Sequence, residues 1–150
     1  MKGSQGLDPY SSFKISTDVA FADRGPVAGR VVAVMDLVLP ERSLNLITPH
    51  SRALRKYEIH ELILTADPSA RPGGTARGAA YLCFFEVTRG GVILVNDRVV
   101  VNNVPVCIIR GYDETHAPNH INIVCYDNNV KTGKQLGLRV GDKVVIARSQ

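Results

Sequence analysis

Four apolar, β-branched runs follow one another between Ala79 and Arg110 with only a few turn-type residues between them, and this spacing leaves the chain little choice but short strands. Ala79 to Val87 is nearly continuous in apolar and aromatic residues, the pattern of a strand buried on both faces. Arg89-Gly90-Gly91 turns the chain; Asn96-Asp97 then separates Val92–Val95 from Arg98–Val101, and Asn102-Asn103 separates Arg98–Val101 from Val104–Arg110. Asn and Asp tolerate the left-handed backbone of tight turns, so the pattern predicts two hairpins in succession and a local meander.

The first half is sparser. Val27, Val31, Val32, Val34 and Val38 predict a strand that Pro40 ends. Thr48-Pro49 has the form of a helix start, with Thr48 as N-cap and Pro49 at the first helical position, leading into a helix over His50–Tyr57. Tyr57–Leu64 predicts a strand, and Asp67 to Pro72 with Gly73, Gly74 and Gly78 a loop. Strands are expected again at Ile121–Tyr126 and Lys143–Ala147, with a second short helix near Asn129–Leu136 stopped by Gly137. The expected architecture is therefore mainly β: a small closed β-barrel with two short helices, formed by one domain over residues 13–150 behind a flexible tail over residues 1–12.

A chain of 150 residues with 45% hydrophobic content can bury a core without disulfides. Cys83, Cys107 and Cys125 are odd in number, lack CxxC spacing and sit in apolar runs, which predicts buried free thiols and a cytoplasmic protein. No apolar leader opens the chain, and its longest apolar run, Val31–Leu39, is interrupted by Asp36, so no membrane association is expected. The net charge is +4, with 12 Arg against 6 Lys. Arginine's planar fork suits carboxylates and phosphates, whereas the absence of a dense basic run with interleaved aromatics argues against nucleic acid.

The segment Asp113-Glu114-Thr115-His116-Ala117-Pro118-Asn119-His120 is a polar cluster between two strand-like runs. An imidazole's reference pKa lies near neutrality and Glu114 could orient either ring, so His116, His120 and Glu114 are the candidate catalytic residues for acid–base chemistry. The same histidines with Glu114 or Asp113 are the candidate ligands if the cofactor is a divalent metal, although Pro118 keeps them off a common helical face. Tyr112, Asp113, Thr115 and Asn122 are candidates for binding a hydroxyl-bearing ligand, and Arg110 for holding an anion. Cys125 follows His120 by five residues, an odd separation that in a strand sends the two side chains to opposite faces. His60 reads as a surface or satisfied core histidine.

Thr115-His116-Ala117-Pro118, the strand at Ile121–Val124 and Gln135-Leu136-Gly137-Leu138-Arg139-Val140-Gly141-Asp142-Lys143-Val144 together resemble the archaeal CTP-dependent riboflavin kinases. That family carries a Thr-His-x-Pro element before an apolar strand and a Leu-Gly-Leu-x-x-Gly-Asp turn into its last strand. The resemblance implies a cradle-loop barrel related to riboflavin synthase, with nucleotide and flavin-like ligands between its loops. Pro118-Asn119-His120-Ile121-Asn122-Ile123 is also similar to the family's Pro-Gly-Thr-Leu-Asn metal element, with His120 and Asn122 in the places of its Thr and Asn. Neither that element nor the family's Gly-rich nucleotide loop has a copy upstream. The functional expectation is a barrel that binds a small anionic metabolite and uses His/Glu acid–base chemistry; a non-catalytic binding module, or a homo-oligomeric assembly module, is the alternative.

Overall fold

The computed structural model describes residues 24–149, so the tail expected over residues 1–12 lies outside the described residues. It contains nine strands: β1 (Val27–Asn45), β2 (Ser51–Leu54), β3 (Ile59–Thr65), β4 (Thr75–Arg89), β5 (Gly91–Leu94), β6 (Arg98–Val101), β7 (Val104–Asp113), β8 (Asn122–Tyr126) and β9 (Lys143–Ala147). Seven of them pair in a closed ring, in the order β1-β4-β3-β8-β7-β6-β9, and β2 with β5 forms a separate two-stranded sheet. β3 and β8 run parallel. Leu62, Leu82, Phe85, Val99, Ile109, Tyr112, Ile123 and Ile146 are among the buried side chains of the larger core cluster. A smaller cluster of Leu44, Leu46, Ile63, Ala70, Ala76, Ala79 and Val124 lies on the other face of β3, β4 and β8, where the far end of β1 and the loop after β3 cover the sheet.

The expected fold needs correction in its helices: among the described residues there are none. Residues 48–57, read as a capped helix, form β2 and a turn. Leu54 is buried, Ser51–Leu54 pairs with Gly91–Leu94, and Tyr57 takes a positive φ of 80°, which a helix cannot hold. At 129–136 the expected helix is reduced to a turn. The Thr132 and Gln135 side chains each accept the other's backbone N–H, at 3.1 and 2.9 Å respectively, and one helical bond, Leu136 N to Thr132 O, follows before Gly137 turns left-handed at φ 79°. Gly133 is the anchor of this turn, since a Cβ there would lie 1.8 Å from the Leu82 carbonyl oxygen.

Two strand boundaries also differ from expectation. β1 runs through Pro40 because the pairing with β4 shifts register between Leu39 and Ser43, and a bulge needs no ladder hydrogen bond from the missing N–H. The turn at Asn96-Asp97 does not close a hairpin: β5 leaves to pair with β2, while β6 pairs with β7 and β9. Asn102 and Asn103, both at positive φ (51° and 67°), do close the β6–β7 hairpin.

Candidate functional site

In-register pairing lines up four residues on four neighbouring strands: Phe84 of β4 opposite Glu61 of β3, Glu61 opposite Asn122 of β8, and Asn122 opposite Asp113 of β7. Their chain neighbours Leu62, Ile123 and Tyr112 belong to the barrel core. By alternation the row therefore points to the outside of the ring. Yet Glu61, Asn122 and Asp113 are only 4%, 2% and 4% exposed. The segment between β7 and β8 closes over them, folded by bonds from Ala117 N to Glu114 O (3.0 Å) and from Asn119 N to His116 O (2.9 Å) around a cis Ala117–Pro118 peptide.

His120, at the end of that segment, sits on the row. Its ring meets Phe84 edge-on at 5.1 Å and stacks on His116 at 5.1 Å. Asn119 Nδ2 donates to His120 Nδ1 at 3.0 Å, which leaves Nε2 to carry the ring proton. Nε2 lies 3.7 Å from Glu61 Oε1, too far for a hydrogen bond, and has no partner among the described residues. Asn122 is placed in the same way. Its Nδ2 donates to Asp113 Oδ2 at 2.8 Å, and its buried Oδ1 has no partner among the described residues. Asp113 takes a second donor, the Thr115 hydroxyl, at 2.8 Å.

The electrostatics of the pair are inverted. Burial raises Glu61 from 4.5 to about 7, against the opposing charge of Arg42. Burial, followed by the neighbouring His116 and His60 rings, holds His120 below its ordinary value. Around neutrality about half of the Glu61 carboxyls thus carry a proton beside an imidazole biased toward its neutral form, a pairing that general acid–base chemistry can use. Beside this pair a groove of about 390 Å³ is lined by Tyr57, Glu58, Ile59, Phe84, Asn119 and His120.

Of the residues singled out from sequence, His120, Asn122, Asp113 and Thr115 come together here, and His116 adds its ring above His120. Glu114 does not: it is exposed and bonded to Arg52 at 3.2 Å, so the carboxylate facing His120 is Glu61. Tyr112 points into the core, where its hydroxyl donates to the carbonyls of His50 (3.1 Å) and Ile93 (3.4 Å). Arg110 lies over the Tyr126 ring at 5.0 Å and bonds Asn96 at 3.3 Å. His60 is buried and satisfied, Nδ1 accepting from Ile121 N at 3.1 Å and Nε2 facing Glu58 at 3.0 Å. All three cysteines are buried free thiols, and burial pushes Cys83 up to about 12, far from a reactive thiolate. No three His, Cys, Asp or Glu side chains among the described residues are grouped so as to hold a metal ion.

Glu61 is the residue sequence reasoning missed. Its signal was a carboxylate in the middle of His60-Glu61-Leu62-Ile63-Leu64, a run otherwise apolar enough to be buried on both faces.

The chain belongs to the family of unknown function DUF6917, whose model matches residues 21–147. No curated protein and no solved structure matches it. No helix among the described residues is long and apolar enough to cross a membrane.

Proposed function

We propose that this protein binds a small planar metabolite of nucleotide or flavin type in the groove beside His120, and that Glu61 and His120 exchange a proton with it. The observation that carries the reading is a pair of buried polar atoms of opposite kind, the donor His120 Nε2 and the acceptor Asn122 Oδ1. Neither makes a hydrogen bond of proper length among the described residues, although Nε2 faces Glu61 Oε1 at 3.7 Å and the Asn122 amide acts on the His120 ring, and they stand beside a carboxyl raised to about 7. Buried polar atoms are rarely left unpaired, and a donor, an acceptor and a proton-carrying acid together match the edge of a heteroaromatic ring. Phe84 and Tyr57 supply apolar faces for such a ring. The free thiols favour a reducing compartment, and we place the protein in the cytoplasm.

The test is a thermal-shift series with riboflavin, flavin mononucleotide, CTP and ATP on the wild type and on His120→Ala. The reading expects at least one of these to raise the melting temperature of the wild type and to lose most of that effect in the variant. A wild type unmoved by all four, or a variant that responds equally, rejects it.

A further inference from the structure

Four non-glycine residues among the described ones have a positive φ, and three of them are Asn96, Asn102 and Asn103, of the residue type that tolerates it. The fourth is Tyr57, at φ 80°. It stands third in a β-turn closed by Glu58 N donating to Arg55 O at 3.0 Å, a place that glycine or asparagine normally fills. The surroundings hold the backbone there. Tyr57 N donates to Val87 O and Val87 N to Glu58 O, both at 2.8 Å, and Glu58 Oε1 accepts from Arg55 N at 3.0 Å. Gly90 lies against the turn, where a Cβ would come within 2.7 Å of Leu54 O and 3.2 Å of Lys56 N. The side chain itself contributes little to the core: it is 72% exposed, and its ring is met by the ammonium of its chain neighbour Lys56 at 5.2 Å.

What the exposed residue does border is the groove beside His120, which it lines together with Ile59, Phe84 and His120. Ile59 and Phe84 share the outer face with Glu61, Ile59 two residues before it on β3 and Phe84 opposite it on β4. Residues held in sparsely populated backbone regions cluster at ligand sites, where the conformation serves to aim a side chain. We propose that Tyr57 is the specificity-determining residue of this groove: the strained turn holds its ring where it stacks on the planar face of the ligand, and it selects fused ring systems over single rings. One step of two residues along β3, roughly 7 Å, already separates Ile59 from Glu61, which faces His120, and Tyr57 lies beyond Ile59. A ligand that touches both Tyr57 and His120 must therefore be longer than one six-membered ring. This assignment rests on the groove being the ligand site, and it adds the residue that sets the length of what the groove takes.

The probes are three neutral compounds of graded size: riboflavin with three fused rings, adenosine with two and cytidine with one. Their affinities are measured by equilibrium dialysis for wild type, Tyr57→Phe, Tyr57→Ala and Tyr57→Gly, and the melting temperatures of the four unliganded proteins are recorded beside them. The ring is exposed, so all three variants should fold. Wild type should bind riboflavin or adenosine more tightly than cytidine. Tyr57→Phe should keep that affinity, whereas Tyr57→Ala and Tyr57→Gly should lose at least about fivefold, the low end for an aromatic side chain stacked on a base. Tyr57→Gly should also melt about 2 °C above Tyr57→Ala, because both lack the ring and only glycine adopts this φ without strain. A wild type that binds none of the three probes rejects the groove reading and this proposal with it. If wild type binds but Tyr57→Ala and Tyr57→Gly bind equally well, the stacking role of Tyr57 is overturned while the groove reading stands. A cytidine affinity equal to that for the fused rings overturns the selection by length, and a Tyr57→Gly that melts no higher than Tyr57→Ala overturns the strain.

Discussion

Glu61→Gln is expected to make the protein more stable, by an amount that grows as pH rises from about 4.5 and is complete above about 7. The carboxyl moves from 4.5 in the unfolded chain to about 7 in the fold, with burial as the largest cause. Between those values the folded protein holds a proton that the unfolded chain has released, so stability declines as pH rises through this interval and levels off above it. At about 1.4 kcal/mol per pH unit the whole effect is roughly 3 kcal/mol. For a chain of this size that is on the order of 6 to 12 °C in melting temperature. Glutamine keeps the shape of the protonated acid and has no proton to lose. Urea or thermal unfolding of both proteins at pH 4 and pH 8.5 should therefore show curves that nearly coincide in acid and separate in base, with the variant higher. If the gap between the two proteins is the same at both pH values, or the wild type is the more stable at pH 8.5, the argument that Glu61 is a buried acid with a raised pKa is refuted.

Three further substitutions test the frame that holds the site. Gly133→Ala should cost about 3 kcal/mol in urea unfolding, because the new methyl would meet the Leu82 carbonyl at 1.8 Å; a loss under about 1 kcal/mol would mean the turn yields freely. Asp97→Ala should cost about 3–5 kcal/mol by the same measurement, since buried Asp97 accepts from both Arg24 guanidinium nitrogens and from Leu94 N, each at 2.8 Å, and a neutral result would show the pair to be dispensable. Tyr112→Phe should lose about 1 kcal/mol through the bonds to His50 and Ile93 yet keep every ligand response, because the ring lies on the core side of β7; a lost response would place Tyr112 in the site after all.

Strand positions were legible in the sequence because alternation and β-branching are local properties. The partners were not. Nothing near Gly91–Leu94 announces that it will leave its neighbour for Ser51–Leu54, and nothing near Ile59 announces a parallel strand at Asn122. The two expected helices failed for different reasons: Thr48-Pro49 specifies how a helix begins, but Leu54 is buried in a paired strand, while the segment ended by Gly137 makes a single helical bond and goes no further. At the site, the polar run 113–120 identified His120, Asp113 and Thr115, and Asn122 beyond it. Its partner carboxylate, however, lies on another strand, and distance in the chain hid it until the register was known.

That register has a cause in counting. Around any closed ring of strands, direction must return to itself, so the number of antiparallel junctions is even. A ring of seven has seven junctions, and at least one must be parallel; here it is β3 against β8 and no other. The polar row straddles this seam, with Glu61 on one side and Asn122 on the other. An insertion that added an eighth strand between β3 and β8 would restore full alternation and in the same step push Glu61 and Asn122 two strand spacings, roughly 10 Å, apart. The adjacency of these two residues thus depends on β3 and β8 remaining neighbours across the parallel seam.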